Sequence, residues 1–225
     1  MFQRTLLRLV IPLTMMVLAC SFGAGSTPAT PLETSGPESV TNVAETTQPV
    51  SSGVVYYVRP DGGSNEECTG LTDSPYPGSG TDQPCAWDHP FRALPPGGTP
   101  RISGGDTLIV AAGSYLMGFG APGADNCDEA GSFDCHMPPV PSGPDAEHPT
   151  RILGTGWDSG CSAPPELWGS GRPWFIMNLT DSSNVELACF EITDHSSCVE
   201  NHSGDLACER DTPPYGDWAQ FGLFA

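Results

Sequence analysis

Lysine is absent from this chain, and its eight basic residues, all arginine, face 27 acids for a formal net charge of −19. Such a surface has nothing to replace the counterions on phosphate, which argues against nucleic acid as a partner. Polyanionic glycans are disfavoured as well, unless a divalent cation bridges them. Helical periodicity is also missing. No useful window keeps apolar residues at a 3.6-residue spacing, and the apolar runs are short and bounded by turn residues. With 27 glycines and 24 prolines, the expectation is an all-β domain with many loops.

What is present begins at the N-terminus. Arg4 and Arg8 precede an apolar run from Leu9 to Leu18, broken only by Pro12 and Thr14. The run is too short to span a bilayer as a helix but suits the core of an export signal. It ends in Val17-Leu18-Ala19-Cys20, which resembles the lipobox of bacterial lipoproteins, with Leu18 where Ala or Ser is more usual. The resemblance implies a signal peptide over residues 1–19 and lipidation of Cys20. The chain would then be held at the cell membrane or outer membrane, facing outside the cytoplasm. Residues 20–52 are rich in Ser, Thr, Pro and Ala, lack Lys and Arg, and show no apolar period. They cannot bury enough surface to offset their ordering entropy and read as a disordered, lipid-anchored linker. Cleavage before Cys20 removes two arginines and no acid, leaving six basic residues against 27, a net of −21.

From Gly53 to Ala225 the chain is long enough for one domain. Its eight non-lipid cysteines form an even set, as expected of an exported, disulfide-bearing chain. Sequence proximity suggests Cys68–Cys85, Cys127–Cys135, Cys161–Cys189 and Cys198–Cys208, out of on the order of a hundred pairings. A zinc site of Cys127, Cys135 and His136 is the alternative, although the spacing lacks the tight cysteine pairs of zinc modules.

The segment Val185-Glu186-Leu187-Ala188-Cys189-Phe190-Glu191-Ile192 places apolar residues at 185, 187, 190 and 192. Alternation marks a strand with one buried face. The extra residue restores the inward direction after a bend, so two short strands face one core; a bulged hairpin strand would give the same spacing. Tyr56-Tyr57-Val58 with Pro60-Asp61-Gly62, Pro90 to Leu94, and Gly105 to Val110 with Gly113-Ser114-Tyr115 resemble the first turns of right-handed parallel β-helix proteins of the pectate-lyase-like superfamily. Pro149 to Gly154, and Asn184 through Asp194, resemble their next coils. The resemblance implies a cap over about 53–105 and coils over 106–225. With no closing cap visible, the β-helix is expected to be incomplete, an N-terminal portion.

On that scaffold the expected role is binding of extracellular or cell-envelope carbohydrate. The alternatives are a polysaccharide lyase or glycoside hydrolase, and a structural envelope protein. Lyases of this kind need a basic residue or a cation, commonly Ca²⁺, to neutralise the uronate carboxyl. The missing lysines therefore favour a non-catalytic role, and no catalytic set is identified. Asp125, Asp128, Glu129 and Asp134 supply oxygen donors of the type Ca²⁺ takes, without EF-hand spacing; a solvated acidic loop is the plainer reading. Asp194, His195, Glu200 and His202 gather after the two-strand segment as a second candidate cluster. Trp157, Trp168, Trp174 and Trp218 are candidates to stack on sugar rings, Trp174 being better placed for a core. The acceptor patterns Asn178-Leu179-Thr180 and Asn201-His202-Ser203 carry no weight in a bacterial lipoprotein.

Overall fold

The computed structural model describes residues 53–193, 195 and 219–225. The signal peptide, Cys20, the linker, Asp194, Glu200, His202, Trp218 and the pair Cys198–Cys208 lie outside the described residues. The described part is all-β. Its nine strands are β1 (Val55–Gly63), β2 (Thr107–Val110), β3 (Ser114–Gly118), β4 (Thr150–Gly154), β5 (Glu166–Ser170), β6 (Phe175–Asn178), β7 (Val185–Ala188), β8 (Glu191–Thr193) and β9 (Phe221–Phe224). Among the described residues the helical segments are two three-residue 3-10 turns, Pro90–Arg92 and Ser132–Asp134.

The strands form three sheets ordered β1-β2-β4-β7, β3-β5-β8 and β6-β9. All the ladders between them are parallel. The chain passes from the first sheet to the second and back, so strands that pair are far apart in sequence. Register stacks like on like. Tyr56, Leu108, Ile152 and Leu187 form one ladder in the first sheet, and Tyr115, Leu167 and Ile192 one in the second. Leu108, Ile152, Tyr115 and Leu167 belong to a core they share with Phe91, Leu94 and Met177.

The spacing of apolar residues through 185–192 resolves into two strands that belong to different sheets. Cys189 turns the corner between β7 and β8 in the left-handed region, at φ 64°. Leu187, Phe190 and Ile192 then line one cavity of about 220 Å³ with Met177 and Leu223. Two strands depart from the sequence reading, which ran residues 116–148 together as loop and left 166–170 unassigned. In Glu166-Leu167-Trp168-Gly169-Ser170 the two large apolar residues are adjacent, so β5 offers no clean alternating signal. It becomes a strand through pairing with β3 on one side and β8 on the other.

Between β1 and β2, residues 64–106 are held mainly by irregular backbone hydrogen bonds and by Cys68–Cys85, whose Cα atoms lie 5.0 Å apart. Trp87 is buried, stacks on Tyr56 at 5.1 Å and donates its indole N–H to Cys68 O at 3.0 Å. Asp106 is a buried carboxylate. Its two oxygens accept from the backbone N–H of Val54 at 2.7 Å and of Ser103 at 2.6 Å, tying the start of the first strand to the turn before β2. Cys127–Cys135 and Cys161–Cys189 are likewise joined, with Cα separations of 5.5 and 5.3 Å. Three of the four pairs suggested by proximity are thus brought together.

Candidate functional site

The second sheet buries Tyr115, Met117 and Leu167, so the residues between them face outward. Register then aligns Ser114 with Glu166 and Glu191, and Leu116 with Trp168 and Thr193. Side chains from three strands meet at Glu166. Ser114 Oγ donates to its Oε2 at 2.6 Å, and Thr193 Oγ1 donates to its Oε1 at 2.7 Å. His195 Nε2 lies 2.9 Å from the same Oε1. The indole N–H of Trp168 donates to Ser114 Oγ at 3.0 Å. The imidazole of His195 stacks on the Trp168 ring, centroids 4.1 Å apart and planes 21° from parallel.

These hydrogen bonds, from Ser114 first and then Thr193 and His195, hold the Glu166 carboxyl down at about 2. A carboxylate so stabilised stays ionised at neutral pH and has no proton to give a leaving group. The arrangement fixes an aromatic ring beside a pre-oriented set of polar groups.

His195 and Trp168 were both named from the sequence, and the structure brings them together. Ser114, Glu166 and Thr193 were not so named. Their partners lie 52 and 27 residues away in sequence, and only the strand register joins them. The alternation is visible only in the structure, where Glu166, Trp168 and Ser170 are part-exposed and Leu167 and Gly169 are buried.

The acidic loop considered from the sequence as a calcium site places its carboxylates apart or on backbone partners. Asp125 has an 88% exposed side chain, 3.8 Å from Arg92. Asp128 accepts from the Gly131 backbone N–H at 2.6 Å, and Asp134 ends the second 3-10 turn. Among the described residues, no three His, Cys, Asp or Glu side chains converge as metal ligands. The zinc alternative fails for a second reason: Cys127 and Cys135 are bonded to each other, and His136 packs edge-on to Phe175 at 4.8 Å.

Trp174 is also corrected. It is 39% exposed, because it precedes β6, and it packs edge-on to Phe133. Trp157 is 36% exposed and lies over the Arg151 guanidinium at 4.4 Å, which itself pairs with Glu186 at 2.7 Å. Asn178 is buried, with Nδ2 donating to Met137 O at 3.3 Å, so its amide is closed to modification. Arg59, Arg92 and Arg151 all have carboxylate partners, and Arg101 donates to the Arg92 carbonyl.

Compared with protein-family models, with curated proteins and with solved structures, the chain finds no significant match in any of the three.

Proposed function

We propose that this chain is an exported lipoprotein, tethered through Cys20, whose body is a right-handed parallel β-helix that binds carbohydrate on its outer face. The β-helix reading rests on strands that cycle through parallel sheets in chain order with like residues stacked in register. Disulfide-bonded cysteines fit an oxidising compartment outside the cytoplasm. The ligand reading rests on one observation above the others, the Trp168 ring set beside the Ser114–Glu166–Thr193–His195 network. The indole face opposite His195 takes the C–H side of a pyranose, while flanking hydroxyls and carboxylate take its hydroxyl groups. The charge of the chain favours neutral glycans over polyuronates, and the ionised Glu166 fits binding better than acid catalysis.

Full-length protein solubilised in detergent should be retained on insoluble cell-wall glycan, and Trp168→Ala should weaken that retention about tenfold. Wild-type protein that binds no polysaccharide offered, or a Trp168→Ala variant that binds as wild type, overturns the ligand reading. The tether is checked separately. Cys20→Ala should take up no labelled palmitate and should leave the membrane fraction; label in the variant equal to that in the parent would refute lipidation at Cys20.

A further inference from the structure

A second cleft lies at the turns that leave the first sheet. It holds about 520 Å³ and is lined by Arg59, Pro60 and Asp61 of β1, Asp73 of the N-terminal loops, Ala111 and Ala112 after β2, and Thr155 after β4. That size falls among small-molecule sites and accommodates one or two pyranose rings. The floor is small and fixed. The Ala111 N–H donates to Val58 O at 2.8 Å, and Thr155 donates its N–H and its hydroxyl to Val110 O at 2.8 and 3.1 Å. Pro60 packs so close to Gly113 that a Cβ there would lie 2.5 Å from its ring. The wall is polar and exposed. Arg59 donates Nε and Nη2 to the two oxygens of Asp61 at 2.8 and 3.1 Å, and Nη1 to Asp73 Oδ1 at 3.0 Å.

We infer that this cleft is a second carbohydrate subsite, which takes a neutral pyranose through a pair of vicinal hydroxyls. The inference deepens the carbohydrate reading and rests on it, but at a site separate from Trp168. A hydroxyl both donates and accepts, so neighbouring hydroxyls match a wall that alternates guanidinium N–H and carboxylate oxygen. The bonds to Asp61 and Asp73 use three of the five guanidinium N–H groups and leave two to donate. The carboxylates keep lone pairs to accept. The alanine and proline floor meets the C–H face of the sugar. The charge selects the ligand: two carboxylates around one guanidinium leave a net negative wall, and the bidentate fork that would grip an anion is already occupied by Asp61. Uronates and phosphates are thereby rejected.

The test is NMR on the ¹⁵N-labelled full-length chain in micelles. It is titrated to about 50 mM, since a single sugar ring is expected to bind with millimolar Kd. The probes are methyl mannopyranoside, galacturonate, and tetrahydropyran-2-methanol, a ring without vicinal hydroxyls. Methyl mannopyranoside should shift the Arg59 Nε–H and the Ala111 and Ala112 amide signals saturably. Asp73→Asn should raise the Kd about tenfold, and Ala112→Leu, which fills the floor, should remove the response. Trp168→Ala should leave it intact. The proposal is overturned if no neutral glycoside shifts these signals, if galacturonate or the deoxygenated ring shifts them equally, or if the response is lost with Trp168. A chain that binds wall glycan through Trp168 yet shows no response here retains the first reading and loses this one.

Discussion

His89→Ala should cost the fold about 3–4 kcal/mol, the sum of a lost buried ring and two orphaned backbone groups. His89 is 2% exposed and sits between the rings of Phe91 and Tyr115, at 5.0 and 5.8 Å. Its Nδ1 accepts from the Phe91 N–H at 3.1 Å and caps the 3-10 turn; its Nε2 lies 2.9 Å from the Leu116 carbonyl. The two contacts together require the neutral tautomer protonated at Nε2. Burial accordingly pushes the imidazole down to about 4. The direction in pH follows. The unfolded chain takes up a proton below about 6.5, whereas the folded one resists until about 4, so the stabilisation is complete above the first value and is lost as pH falls toward the second. That window is worth roughly 3 kcal/mol. Urea unfolding followed from pH 7 to pH 4 reads both effects. His89→Phe, which keeps the ring volume, should unfold more easily at pH 7 and lose less stability than wild type on acidification. An identical pH slope in the two proteins would show that His89 is protonated or solvated in the native state.

The second large effect is expected at Gly118, the last residue of β3, where φ is 141°. Side chains rarely adopt that conformation, and a Cβ there would run into the backbone carbonyl of Ser170, its register partner on β5. Gly118→Ala therefore strains the backbone and pushes two paired strands apart, at a cost of about 2–4 kcal/mol. Gly120 is the built-in control. It also has positive φ, at 84°, but a Cβ there meets nothing within 4 Å, so Gly120→Ala should cost only about 1 kcal/mol. Thermal or urea unfolding of the two variants side by side checks the register. Equal costs would mean that β3 and β5 do not approach as described. Because β3 carries Ser114 and β5 carries Glu166 and Trp168, Gly118→Ala should also weaken glycan retention, while Gly120→Ala should not.

These two positions mark where sequence reasoning runs out. His89 stands among turn residues with nothing in its neighbours to separate a buried cap from a solvated imidazole; its partner Leu116 is 27 residues on. Gly118 is one of 27 glycines, and its demand comes from a carbonyl contributed by Ser170. The acidic loop shows the same limit: Asp125, Asp128, Glu129 and Asp134 are close in sequence, but proximity along the chain does not set the direction of the carboxylates.

Some features are local and were therefore legible. The lack of helical period and the wealth of turn residues gave the all-β class, because strand patterning and turn chemistry depend on residues a few positions apart. The two strands at 185–192 were visible because the bend restores an apolar face within eight residues. Three cysteine pairs were found because short loops close at low entropic cost. The parallel registers were decided only by the tertiary structure. A ladder such as Ser114 to Glu166 to Glu191 depends on how parallel strands pair over dozens of intervening residues, and no local preference encodes that offset. The Trp168 network and the Arg59 cleft are both products of it: each draws its residues from at least three separate segments, aligned when backbone hydrogen bonding and buried apolar ladders fix one strand on the next.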